Sequence, residues 1–236
     1  MPERRGKAPY HITTLNEKPL HAALKSWYAR PGDHTEIYAD GFLIDVVRDD
    51  RLVEIQTRGF GKIRRKLETL VRHHKVRLVY PVAREKWILR TAKDGSVLSR
   101  RKSPRRGGVE DVFRELVSLP ELAADRNFSL EVLLIREEEV RTEGRNWRRR
   151  GWRTSERRLI DVVERHVFEC PADFAALLPA DLPEPFTTAD LASARSIPRP
   201  VAQRMCYCLR RMGALREAGK KGNAILYLRQ DVSPST

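Results

Sequence analysis

The chain has 236 residues, 41% of them hydrophobic, which is room for one large or two ordinary domains with real cores. Its 46 Lys and Arg against 32 Asp and Glu give a net charge of +14, so the expected partner is a polyanion, nucleic acid ahead of an anionic membrane. No apolar run approaches the length of a membrane span, the opening MPERRGKAPYH has no signal-peptide core, and three cysteines without zinc-ligand spacing support neither a disulfide framework nor a zinc site. A cytoplasmic protein is expected, with the nucleoid as one location within that compartment.

Residues 1–15 are polar, basic and Pro-containing, and read as a flexible terminus. Asn16 can cap a helix over residues 17–29, whose Leu20, Ala23, Leu24 and Trp27 recur at helical spacing beside a polar stripe of Glu17, His21, Lys25 and Tyr28. His21 reads there as a half-exposed packing residue. Pro31-Gly32-Asp33 ends the helix, and a short strand near 36–38 follows.

The stretch GFLIDVVRDDRLVEIQT, residues 41–57, has two β-branched apolar runs flanking Asp49-Asp50 and reads as a hairpin. Pairing Arg48 with Arg51 sets Val47 against Leu52, Val46 against Val53 and Asp45 against Glu54, with Gln56 two residues on and on the same face. Like charges on one rung repel by a few tenths to about 1 kcal/mol when exposed and by more when partly buried. A hard divalent cation between them reverses that sign. Leu43, Val47 and Leu52 share the carboxylate face and Ile44, Val46, Val53 and Ile55 the other, so a sheet covered on both sides is expected.

A helix over residues 61–74 should pack through Ile63, Leu67, Leu70 and Val71, with Lys62, Arg64, Arg65 and Lys66 on its basic flank. Then come a buried strand over 76–82, a hairpin of 85–91 with 97–100, and a loop over 100–108. The loop carries Arg101, Lys102, Arg105 and Arg106 and is expected to be mobile and to follow a phosphate backbone. A helix at 110–119 and a strand from 128 through 140 follow. Trp147 and Trp152 among Arg148, Arg149 and further arginines suit base stacking with phosphate contact. A strand over 159–168 and a short helix at 171–178 complete a domain of residues 16–178, and the Pro-rich 179–185 reads as a linker.

In residues 186–230 a capping box at Thr187-x-x-Asp190 opens one helix, and a second runs over 199–212. The second buries Val201, Met205, Cys208, Leu209 and Met212 and leaves Arg199, Gln203, Arg204 and Tyr207 outward. A two-stranded wing with Lys220 and Lys221 at its tip follows. This order resembles a winged helix-turn-helix domain, which implies DNA contact by the outward residues.

Asp45, eight intervening residues, then Glu54-Ile55-Gln56, followed by a basic helix and an apolar strand, resembles the PD-(D/E)XK, or restriction-endonuclease-like, nuclease superfamily. Ile44 stands where that pattern has Pro, and Gln56 where it usually has Lys. The resemblance implies an α/β fold with an αβββαβ core, here carrying extra strands and helices, and a small α+β winged helix appended. It implies metal-dependent phosphodiester cleavage with Asp45 and Glu54 as ligands of Mg²⁺ or Mn²⁺, and a helical Glu, here Glu17, near the metal. Gln56 would then orient the nucleophile, with Lys62 or Lys66 supplying the missing positive charge. DNA is favoured over RNA as substrate, the oligomeric state is open with a homodimer as one alternative, and the rival function is a nuclease-like DNA-binding or regulatory protein without turnover.

Overall fold

The computed structural model describes residues 18–143 and 151–232. Helix α1 (Pro19–Tyr28) is followed by three antiparallel strands, β1 (His34–Ala39), β2 (Phe42–Arg48) and β3 (Arg51–Ile55). A 3-10 turn and helix α2 (Arg64–Leu70) lead to β4 (Lys75–Thr91), which runs parallel to β3. β5 (Val97–Lys102) folds back on the far end of β4, and a second 3-10 turn with the one-turn helix α3 (Phe113–Leu116) precedes β6 (Phe128–Glu143) and β7 (Trp152–Phe168). The mixed sheet has the order β1-β2-β3-β4-β6-β7, with β5 on the outer part of β4.

The hairpin forms as its sequence dictates, with Arg48 opposite Arg51, Val47 opposite Leu52 and Val46 opposite Val53, turning through a left-handed Asp49. Both faces are covered. One carries Ile44, Leu52, Leu78, Val132 and Leu134 beneath α2 and α3, and the other carries Val46, Val53, Ile55, Val79 and Leu133 beneath α1. Ile44 packs into the first of these clusters and not with Val46 in the second, against what its spacing predicts.

Three sequence expectations change. Residues 75–91 are one continuous strand, not a strand and half a hairpin: Pro81 has the same parity as Val79, whose carbonyl faces β3, so its missing N–H points to an edge that β3 has already left. The basic loop is shorter than expected and anchored. Arg100, Arg101 and Lys102 belong to β5, and Gly107 N–H bonds the Ala83 carbonyl at 2.9 Å. The expected helices at 61–74 and 110–119 each shrink to a 3-10 turn followed by a short α-helix.

After α4 (Pro171–Ala175), the chain forms α5 (Thr188–Ala194), α6 (Arg199–Arg211) and the hairpin of β8 (Leu215–Lys221) with β9 (Ala224–Arg229). Thr187 and Asp190 close the capping box reciprocally. Segment 179–185 contributes Leu182, 4% exposed, to a core that runs continuously from the sheet to α6. Arg195 with Glu110 and Arg211 with Glu121 tie α5 and α6 to the sheet's helical face.

Candidate functional site

β2 and β3 separate just past the Val46–Val53 pair, and continuing their register puts Asp45 opposite Glu54. The parting leaves the Ile55 N–H without a β2 carbonyl. Asp45 takes its place, accepting that N–H on Oδ2 at 2.8 Å, so the carboxylate is held by the strand it faces. The β1 register likewise sets Glu36 opposite Asp45, between the pairs Thr35–Val46 and Ile37–Ile44.

Each carboxylate of this row meets a basic side chain from a helix. Lys66 of α2 donates from Nζ to Glu54 Oε2 at 2.6 Å and to the Leu43 carbonyl at 2.5 Å. His21 of α1 brings Nε2 within 3.3 Å of Asp45 Oδ2, and Lys25, one turn on, donates to Glu36 at 2.8 Å. The central pair is sheltered, with 17% of the Asp45 side chain and 11% of the Glu54 side chain exposed.

Burial and the charge of Asp45 push the Glu54 carboxyl up to about 7, against the pull of Lys66 and His21. Burial also works to raise Asp45, but His21, the Ile55 N–H and Lys66 together hold it below the ordinary aspartate range. The two carboxyls are therefore driven apart in proton affinity by a shared, crowded environment.

Gln56 continues the β3–β4 ladder, its N–H bonding the Val79 carbonyl at 2.9 Å, two residues from Glu54. Lys62 is exposed, its aliphatic stem beside Gly59, while Lys66 is the helical lysine that reaches the carboxylates. His21 joins the site where the sequence suggested only packing. The signal that finds it is the i, i+4 spacing of His21 and Lys25, which aims both at one strip of the sheet. Glu17 lies outside the described residues.

Among the basic residues, Arg101 and Lys102 are exposed on β5, with Lys102 Nζ 3.0 Å from Glu85 and 5.0 Å from the centre of the Trp87 ring. Arg105 and Arg106 are exposed on the anchored loop, while Arg148 and Arg149 fall outside the described residues. Arg199, Gln203 and Tyr207 share the exposed side of α6 with the half-buried Arg204, and Lys220 and Lys221 are exposed at the end of β8.

For a hard divalent cation the set offers two sheltered carboxylates on neighbouring strands, and an ion bound there would have to compete with Lys66 for Glu54 and with His21 for Asp45. Among the described residues no group of three or more His, Cys, Asp or Glu could hold a metal, so its remaining ligands would be backbone carbonyl, water or phosphate oxygens.

Fold and site together define a mixed α/β protein with a carboxylate pair at the parting of two strands and a lysine drawn in from the next helix. Residues 18–169 match the family described as "Domain of unknown function (DUF8091)", and the chain belongs to that family. It is also 34% identical over 223 residues to an "Uncharacterized protein" of Treponema pallidum (strain Nichols), covering 93% of this chain and 88% of the relative. No solved structure matches it.

Proposed function

We propose that the protein is a metal-dependent nuclease with a restriction-endonuclease-like core and a C-terminal winged helix that helps to hold the nucleic acid, DNA in preference to RNA. The observation that carries this reading is the Asp45–Glu54 pair, joined by Lys66, at the point where β2 and β3 separate. The element order supports it: one helix, three antiparallel strands, a helix and a strand parallel to the third. In the tail, α5, α6 and the β8–β9 hairpin follow the helix, helix, wing order.

On this reading Asp45 and Glu54 hold Mg²⁺ or Mn²⁺, which when bound supplies Lewis-acid activation of water and neutralisation of phosphate charge. The chain's own residues do the rest. The Ile55 N–H and His21 fix the Asp45 carboxylate so that it need not reorganise, while Lys66 brings a compact positive charge beside Glu54, where it can meet a phosphate oxygen. Gln56, an uncharged amide, can hold a water but cannot stabilise a leaving oxyanion as Lys does, so Lys66 takes that share.

One observation favours the rival, a DNA-binding or regulatory protein without turnover: Glu54 already has an ion-pair partner in Lys66. The two readings part on a direct assay. Labelled single-stranded, duplex and branched DNA and RNA, incubated with Mg²⁺, Mn²⁺ or a chelator, should show cleavage of at least one substrate with metal and none with chelator. Binding without cleavage under every metal would give the rival the site.

A further inference from the structure

Among the described residues, no strand pairs with the edge of β4 between the end of β3 and the start of β5. The last bond from β3 is Gln56 N–H to the Val79 carbonyl, and the edge is next used at Ala83 by Gly107 N–H and at Lys86 by Ser103 N–H. Between these points opens a cavity of about 340 Å³. Its rim is pinned at Gly107, where a Cβ would stand only 2.6 Å from the Ala83 carbonyl oxygen, so a side chain there would lift the rim away from β4.

The lining is cationic, five Lys and Arg side chains against the carboxylates of Asp111 and Glu137. Four of these cations are aimed by acids. Lys86 lies 3.0 Å from Glu137 and 2.8 Å from Glu139, Arg157 donates to Glu137 at 2.5 Å, Arg141 to Glu139 at 2.7 Å and Arg114 to Asp111 at 2.6 Å. The fifth, Arg105, has a side chain 72% exposed and comes no nearer than 3.9 Å to Asp111. Acids thus fix four of the five cations in place while positive charge remains in excess, an arrangement suited to an anion.

Glu137 is fully buried and lines the cavity, yet its Oε1, though at ion-pair distance from Lys86, accepts no hydrogen bond. That oxygen is closed to solvent and faces the Lys86 ammonium, so the acid serves to hold Lys86 in the cavity wall. A second observation narrows the anion: Tyr80, Pro81 and Ile88 line the same cavity with apolar and aromatic surface.

We propose that this cavity binds a mononucleotide unit. Its phosphate meets Arg105 and Arg114, and its flat base lies against Tyr80 and Pro81. The volume is at the lower end of small-ligand sites, which begin near about 300 Å³. The unit is either a free nucleotide or the phosphorylated end of a strand. The proposal uses neither Asp45 nor Glu54 and stands whether or not the protein cleaves nucleic acid.

Calorimetry in the presence of a chelator separates the two ideas. At least one nucleoside monophosphate should bind about tenfold or more tightly than inorganic phosphate or its own nucleoside, and Arg105→Ala should weaken it about tenfold while leaving the melting temperature unchanged. Competition by a linear single strand with a phosphorylated end, but not by a circular one, assigns the unit to a strand end, and competition by neither assigns it to a free nucleotide. A monophosphate that binds no better than phosphate, wild-type affinity in Arg105→Ala, or equal competition by the circle would overturn the proposal.

Discussion

Lys66 Nζ lies 2.6 Å from Glu54 Oε2, joining the helix after β3 to the strand end that carries the carboxylates. Sequence spacing leaves Lys62 and Lys66 equivalent, one turn apart, and the fold chooses between them. In the proposed enzyme, Lys66→Ala lowers the single-turnover rate on the order of a hundredfold, as loss of a positioned group does. Lys62→Ala costs a factor of a few at most, and Gln56→Lys placed in the Lys66→Ala background recovers part of the loss. A Lys66→Ala protein that cuts as fast as wild type would remove Lys66 from the chemistry.

The exposed side of α6 and the end of β8 make a second prediction. If they bind phosphates, replacing Arg199, Arg204, Lys220 and Lys221 by Ala weakens duplex binding across all sequences and lowers the slope of log K against log salt by about one for each phosphate no longer neutralised. Fluorescence anisotropy at several salt concentrations reads both quantities. An unchanged slope would turn this face toward a protein partner or none.

Gly107 is predicted to be intolerant of any side chain, because the atom that a Cβ meets is a backbone oxygen held in β4. Gly107→Ala should cost about 1–3 kcal/mol in urea unfolding, the usual range for forced overpacking. A midpoint equal to wild type would mean that the 103–108 rim shifts freely.

Glu139 supplies a pH test outside the carboxylate pair. Burial works against its charge, but hydrogen bonds from Lys86, Thr154 and Arg141 outweigh burial and lower its carboxyl to about 2 from the ordinary 4.5. A depressed carboxyl contributes stability that is fully present above 4.5 and is lost as pH falls through about 2. The stability gap between wild type and Glu139→Gln should therefore be widest near neutral pH and close across that acid window, as followed by urea unfolding at a series of pH values. A gap independent of pH would show that the charge of Glu139 contributes nothing.

How much of this was legible in the sequence depended on the range of the forces involved. The hairpin and its register were legible, because alternation and a polar turn are local, and so were the Thr187 capping box and the buried stripe of α6. The carboxylate pair followed from that register. Lys66 was one of two lysine candidates, but the His21 partner was not legible, since His21 and Asp45 are 24 residues apart and only the packing of α1 on the sheet joins them. The buried acids of β6 were equally hidden. Glu137 and Glu139 sit in the charged end of the expected strand, and the partners that let them be buried come from β4 and β7. The break expected between 82 and 85 is only a register shift between Ala83 and Glu85, across which the long pairing with β6 carries β4 on to Thr91.

The proposed nuclease activity requires Asp45 and Glu54 to work as one unit on a phosphodiester. Single-turnover cleavage of a labelled substrate at saturating Mg²⁺ or Mn²⁺ should be readily measured for wild type. It should fall on the order of a thousandfold or more in Asp45→Asn and in Glu54→Gln, and by no more than that in the double variant, because groups acting as a unit are not additive. Wild-type protein that is folded, binds nucleic acid and cuts nothing with either metal would contradict the account, as would residual cleavage at the wild-type rate in both single variants.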